Sequence, residues 1–189
     1  MRTPVVLILP LIFGVAACGS SAPDAEPTVA PSDTLPMDAG PSAAPTRAVA
    51  TLKTADGKDA GTVTLLPAGE GMRLAVQVKG LAAGEHGIHI HTVGKCEGAK
   101  FESAGSHWNP ADKKHGLDNP AGPHAGDMAN LTVAANGSGI VNTTLTGTVS
   151  DLLDADGAAV VIHAKRDDGK TDPSGDSGDR IACAVLEAS

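Results

Sequence analysis

Eight short β-branched or alternating runs, punctuated by turn signals, set what this chain can fold into. They cover Ala48–Lys53, Gly61–Pro67, Met72–Lys79, Gly84–His91, Met128–Ala134, Gly139–Thr146, Ala158–Ala164 and Arg180–Leu186. Asp56-Gly57, Gly69-Glu70-Gly71, Asn136-Gly137 and Asp156-Gly157 supply the turns. Within the runs, Val76 and Val78, or Val161 and His163, recur with the period of two that strand geometry requires. Only residues 150–154 read as a helical turn. The chain has no Tyr, one Trp and two Phe, so its core has to be built from Val, Ile, Leu and Ala, which suits short strands. The pattern predicts an all-β domain, an antiparallel sandwich or barrel of about eight strands. Two stretches, 92–126 and 165–179, contain no strand signal, and loops this long in a compact domain are usually functional.

The N-terminus reads differently. Arg2 precedes an apolar stretch from Val5 to Ala17, interrupted by Pro10 and Gly14, which is too short to span a bilayer and fits a signal-peptide core. The run ends Val15-Ala16-Ala17-Cys18, which resembles a bacterial lipoprotein box. That resemblance implies acylation of Cys18 as the mature N-terminus, against ordinary secretory cleavage after Ala17 or a buried strand. Gly19 after the cysteine implies sorting to the outer membrane, with the domain held on the periplasmic side of a bacterial cell envelope. Residues 19–46 are rich in Ala, Pro and Ser and carry four acids and no base, a composition that cannot bury enough surface to offset its ordering entropy. The expected organisation is a signal peptide over 1–17, an acylated cysteine and tether over 18–46, and one folded domain over 47–189. The whole chain carries a net −8, and from Arg47 onward 13 bases and 18 acids leave −5. That balance excludes nucleic acid, whose phosphates need clustered Lys and Arg. It also means that an anionic substrate would need a local positive feature to approach.

The histidines carry the chemistry. His89 and His91 lie two apart on an expected strand, so both rings can face one side while Ile88 and Ile90 enter the core. Alone the pair is weak, because half-buried strand histidines are often only hydrogen-bonded structure. His107, His115, His124 and Asp127 lie on a loop rich in Gly and Pro, where no core accounts for them. Three imidazoles and one carboxylate make the ligand set of a closed tetrahedral zinc site. His163 ends a strand reading Val160-Val161-Ile162-His163 and needs a partner. Four imidazoles around one ion suit copper(II). Of the three cysteines, Cys18 ends the apolar run, while Cys96 and Cys183 lie deep in the chain. One disulfide and one specialised cysteine is the natural count, and a disulfide agrees with export.

Six segments now carry a family resemblance: 84–91 (GEHGIHIH), 105–110 (GSHWNP), 114–116 (KHG), 124–127 (HAGD), 161–163 (VIH) and 178–183 (GDRIAC). In order and spacing they resemble the successive motifs of the copper/zinc superoxide dismutases of the bacterial exported branch, across the whole domain. The resemblance implies a Greek-key β-barrel. It gives copper to His89, His91, His107 and His163, and zinc to His107, His115, His124 and Asp127. His107 would bridge the two ions as an imidazolate. It also implies a disulfide between Cys96 and Cys183, and a carboxylate at Asp167 that bonds ligand histidines and fixes their tautomers. Arg180 would guide superoxide to copper. The implied reaction is disproportionation of superoxide to oxygen and hydrogen peroxide by Cu(II)/Cu(I) cycling, with proton exchange on His107 and no redox role for zinc. His86 is left over and reads as packing.

Two departures stand out: Trp108 where the family more often has Phe, and Asp179 directly before Arg180, with Asp172 and Asp176 close by. Pairing of Asp179 with Arg180 would weaken anion attraction. The competing reading from another class is a copper- and zinc-holding envelope lipoprotein for metal storage or delivery without dismutase activity, which would be expected to have lost a ligand or Arg180. A zinc hydrolase needs an open coordination position, which this four-ligand set does not leave. Monomer and homodimer both stay open, although aromatic residues that favour interfaces are nearly absent.

Overall fold

A computed structural model describes residues 47–188; the signal peptide, Cys18 and the tether expected over 1–46 lie outside the described residues. The eight runs give nine strands: β1 Ala48–Thr54, β2 Asp59–Ala68, β3 Gly71–Val78, β4 Gly84–His86, β5 Ile88–His91, β6 Leu131–Val133, β7 Gly139–Thr146, β8 Ala158–His163 and β9 Arg180–Leu186. Seven of them form one antiparallel sheet in the order β5-β8-β9-β1-β2-β3-β7, and β4 pairs with β6 in a small second sheet. The last strand lies between β8 and β1, and β7 returns beside β3 after a long excursion, the non-sequential neighbours of a Greek-key barrel. The sheet curls around an interior of Val, Leu, Ile, Met and Ala. On β3, Met72, Leu74, Val76 and Val78 point inward and Arg73 and Gln77 outward, as the alternation requires.

The run 84–91 is not one strand, and the change of sheet falls at Gly87. Its N–H donates to the Lys165 carbonyl and its own carbonyl accepts from the His163 N–H, both at 2.8 Å. No side chain fits there, because a Cβ would lie 2.8 Å from the Ser177 Cβ. The expected strand 128–134 shortens to β6, and Asn130 just before it is bonded to Asp167 of the second loop. The expected helical turn is α1, Val149–Leu152, started by a capping box between Thr148 and Asp151. Among the described residues no helix is long and apolar enough to cross a membrane.

Strand β8 is buried on both faces, and this positions the site. Ala158, Val160 and Ile162 face the interior, while Ala159 and Val161 pack outward with Phe101, Ala104 and Cys183. The first long loop therefore covers the outside of the barrel at β5 and β8. It is also more ordered than its sequence indicates. A 3-10 turn forms at Glu102–Ala104, and two loop segments pair with β5 through the bridges His91↔His107 and His89↔Asp127. The Cys96–Cys183 disulfide fastens this loop to β9.

Candidate metal centre

Strand β5 pairs with β8 so that His89 stands opposite Val161 and His91 opposite Ala159, both on the outer, loop-covered face. His163 reaches the same face at an irregularity in the β8 register after Ile162. The loop bridge to His91 brings in His107. These four rings are buried, and each has one nitrogen tied and one free. His89 donates from Nε2 to Asp167 Oδ2 (2.6 Å), His91 from Nδ1 to the Gly105 carbonyl (2.9 Å) and His163 from Nδ1 to the Gly178 carbonyl (3.1 Å). His107 Nδ1 lies 3.0 Å from Asp127 Oδ1. The remaining nitrogens, Nδ1 of His89 and Nε2 of His91, His107 and His163, are buried without a hydrogen-bond partner. One ligand atom from each residue lies within 4.8 Å of the others. Four buried lone pairs turned toward one point are costly unless something occupies it.

A second convergence sits on the other side of His107. Asp127 Oδ1 is 3.0 Å from His107 Nδ1, 3.1 Å from His115 Nδ1 and 3.3 Å from His124 Nδ1, and the Nδ1 atoms of His107 and His124 are 3.4 Å apart. Four ligands about 2.0 Å from a tetrahedral ion stand about 3.3 Å from one another, and these four separations match that spacing. The other carboxylate oxygen, Oδ2, accepts the backbone N–H groups of Gly116 (2.9 Å) and His124 (3.0 Å), which fix its orientation. His107 offers one nitrogen to each group.

Asp167 ties the two groups together. Besides its bond to His89, its carboxylate lies 3.0 Å from His115 Nε2. Its backbone is clamped by Asn130, which gives an N–H to the Asp167 carbonyl (2.9 Å) and accepts the Asp167 N–H (2.8 Å). Arg180 donates from Nη1 to the Phe101 carbonyl (2.6 Å) and from Nη2 to the Gly105 carbonyl (2.7 Å). Gly105 thus holds both His91 and Arg180, and Phe101 turns its carbonyl to the arginine from a left-handed backbone at φ 51°. Asp179 is exposed, and no ion pair joins it to Arg180 among the described residues. His86 is buried between the carbonyls of His163 (2.8 Å) and Ala82 (3.0 Å), so it is structural. Trp108 packs in the core, against Gly147.

Residues 59–186 match the copper/zinc superoxide dismutase family (SODC). The chain belongs to this family. It is 43% identical over 148 residues to the Cu-Zn superoxide dismutase of Caulobacter vibrioides, covering 74% of this chain and 85% of that one. It is 36% identical over 197 residues to a superoxide dismutase-like protein of Bacillus subtilis, covering 98% of this chain and 96% of the relative. The solved Cu/Zn superoxide dismutase of Brucella abortus superposes with a TM-score of 0.62 at 25% identity, over 75% of this chain and 99% of that one. Copper and zinc are accordingly the cofactors: His89 and His107 converge with His91 and His163 in one buried group able to hold a metal and with His115 and Asp127 in another, and His124 joins the second through Asp127 Oδ1.

The electrostatics of this dismutase-family site divide along the same line. Burial pushes His91 down to about 2, with His107 adding to the effect, and it pushes His107 to about 4 and His163 to about 3. His89 is lowered too, by burial above all. These rings are therefore neutral near pH 7, the form a metal needs. At His115 burial also lowers, but the Asp127 and Asp167 carboxylates together overcome it and raise the ring to about 9. Burial works to raise Asp127 and Asp167, yet their histidine and backbone N–H partners hold both below the usual carboxylate range. Burial lowers Arg180 from its ordinary value, with Glu102 opposing. The guanidinium charge acts on His91 and His163.

Sequence reasoning missed the residues that hold the ligands: Gly87, the carbonyls of Gly105 and Gly178, and Asn130. A backbone carbonyl leaves no side-chain signal.

Proposed function

We propose that the chain is a superoxide dismutase, disproportionating superoxide to oxygen and hydrogen peroxide. In this reading His89, His91, His107 and His163 hold copper, and His107, His115, His124 and Asp127 hold zinc. The observation that carries it is the set of four buried, unpartnered imidazole nitrogens, with the Arg180 guanidinium acting on two of the rings, His91 and His163. Copper, alternating between Cu(II) and Cu(I), supplies the electron exchange when bound, and zinc supplies fixed charge without redox chemistry. Arg180 attracts and orients the anion from a fixed position, with two backbone carbonyls holding its fork. His107 gives a nitrogen to each metal group and can hold a proton at Nε2. Asp167 keeps His89 and His115 in the tautomers that leave their Nδ1 atoms for the metals.

Export through the N-terminal run, anchoring by an acylated Cys18 and a tether over 18–46 are part of the same proposal and rest on the sequence. They would place the domain on the periplasmic side of the outer membrane. Labelled palmitate should enter the wild-type chain and not Cys18→Ser.

The deciding experiment is metal analysis with a dismutation assay on the purified chain. Copper and zinc near one each per chain with rapid dismutation is expected. Full loading without dismutation would instead support a metal-storage or metal-delivery lipoprotein. The relative matched along nearly the whole chain is named only superoxide dismutase-like, and that match is the observation that favours the second reading.

A further inference from the structure

Asp172 is a carboxylate that the proposed chemistry leaves without a task. By sequence it is an acid near Arg180, yet in the structure its oxygens serve the first loop. Oδ1 accepts the backbone N–H of His115 at 2.8 Å, and Oδ2 accepts Lys114 Nζ at 2.9 Å. The two loops also meet backbone to backbone here. The Asp118 N–H donates to the Gly169 carbonyl at 3.0 Å, and a Cβ on Gly116 would fall 2.0 Å from that same oxygen. His115 is thus held twice by the second loop, at its backbone by Asp172 and at Nε2 by Asp167, while its Nδ1 is turned to Asp127. Both grips come from one segment, so the placement of His115 depends on how that segment folds.

We propose that Asp172 is a positioning residue for the zinc group: it fixes the His115 backbone so that Nδ1 arrives beside Asp127, and it ties zinc retention to the second loop. The proposal rests on the assignment of His115 to zinc. Partners one step removed from a metal typically alter affinity by about 10- to 100-fold, and the same is expected of Asp172→Ala. Asp172→Asn keeps an acceptor oxygen for the His115 N–H and should stay within about threefold of wild type. Lys114→Ala removes only an exposed ion pair and should change affinity by less than about twofold.

The test is competition for zinc between the metal-free full chain and a chromophoric chelator, with melting temperatures of the metal-free and zinc-loaded forms beside it. Asp172→Ala should weaken zinc binding and lower the melting temperature of the loaded form more than that of the metal-free form. His115→Ala separates the two levels of the argument. If His115→Ala leaves zinc binding unchanged, the ligand assignment fails and this proposal fails with it. If His115→Ala abolishes binding while Asp172→Ala matches wild type, the proposal alone is overturned. Equal losses in Asp172→Ala and Asp172→Asn would also overturn it, because the acceptor oxygen would then not be what places His115, and so would equal melting shifts in the two forms, because the role would then be purely structural.

Discussion

Stripping the metals should leave a protein whose stability falls steeply in acid. His91, His107 and His163 are held at about 2, 4 and 3 in the folded chain, against 6.5 for an ordinary imidazole. A group depressed by folding contributes stability above its unfolded value and loses it as pH falls. At pH 5 each of these rings would bind a proton if unfolded and binds none when folded, a difference of about 2 kcal/mol per ring relative to neutral pH. The three together cost about 6 kcal/mol, and His89, lowered in the same direction, adds to that. His115 has the opposite sign: raised to about 9, it contributes fully below 6.5 and loses its contribution as pH rises through 9. Between pH 7 and 5 it returns about 1 kcal/mol or less. Asp127 and Asp167, depressed, keep their contributions until pH drops into the ordinary carboxylate range, so they do not soften the fall. The net loss of about 5 kcal/mol is a large share of a domain stability of about 5–15 kcal/mol, and corresponds to a drop of roughly 10–20 °C in melting temperature. Calorimetry of the metal-free, disulfide-intact chain at pH 7, 6 and 5 and constant ionic strength reads it directly. A melting temperature at pH 5 within a few degrees of that at pH 7 would refute the claim that these rings are buried neutral.

Zinc binding at pH 7 should release about one proton, because His115 is protonated in the metal-free protein. Titration calorimetry in buffers of different ionisation enthalpy measures this, and zero release would contradict the raised value. Reducing the Cys96–Cys183 bond should destabilise the fold by about 4–5 kcal/mol on loop-entropy grounds. It should also cut dismutation more than metal content, since the loop it fastens carries the Phe101 and Gly105 carbonyls that hold Arg180. Parallel melting, metal and activity assays after reduction check both parts. Asp179→Gly should leave dismutation within a few-fold at moderate salt and show any gain at low salt, because Asp179 is exposed and unpaired with Arg180; screening of such a charge is strong above about 0.1 M. A tenfold loss in that variant would mean that the aspartate orients the arginine.

The strand runs were legible because alternation reports burial directly, as Met72 to Val78 illustrates on β3. The break at Gly87 was not, since it depends on hydrogen bonds to Lys165 and His163 from far along the chain. His89 and His91 could be placed on one face from spacing alone. That His107 and Asp127 stand opposite them depends on bridges between a strand and a loop that shows no strand pattern. Proximity in sequence misled at Asp172, whose partners are 57 and 58 positions away. Trp108 was legible as packing, because a large apolar ring beside a buried loop has few other places to go.

The choice of donor nitrogen shows how much of the site is written in backbone. An imidazole presents either Nδ1 or Nε2 to a metal, and the choice belongs to whatever accepts the proton on the other nitrogen. For His91 and His163 the acceptors are the carbonyls of Gly105 and Gly178, both glycines at φ 75°, a left-handed conformation that other residues rarely adopt. A side chain at Gly105 would also strike Thr92 Oγ1 at 2.8 Å. The tautomers that leave Nε2 free are thus selected by the turn geometry of two loops, one fastened by the disulfide and the other by Asn130 and Asp172. His89 is the exception that supports the rule. Its acceptor is the Asp167 side chain, reached by Nε2, and its free nitrogen is Nδ1. The ligand motif names which histidines can bind, but for His91 and His163 the loop glycines decide which atom does so. Those glycines are the sequence trace of an arrangement made by carbonyls.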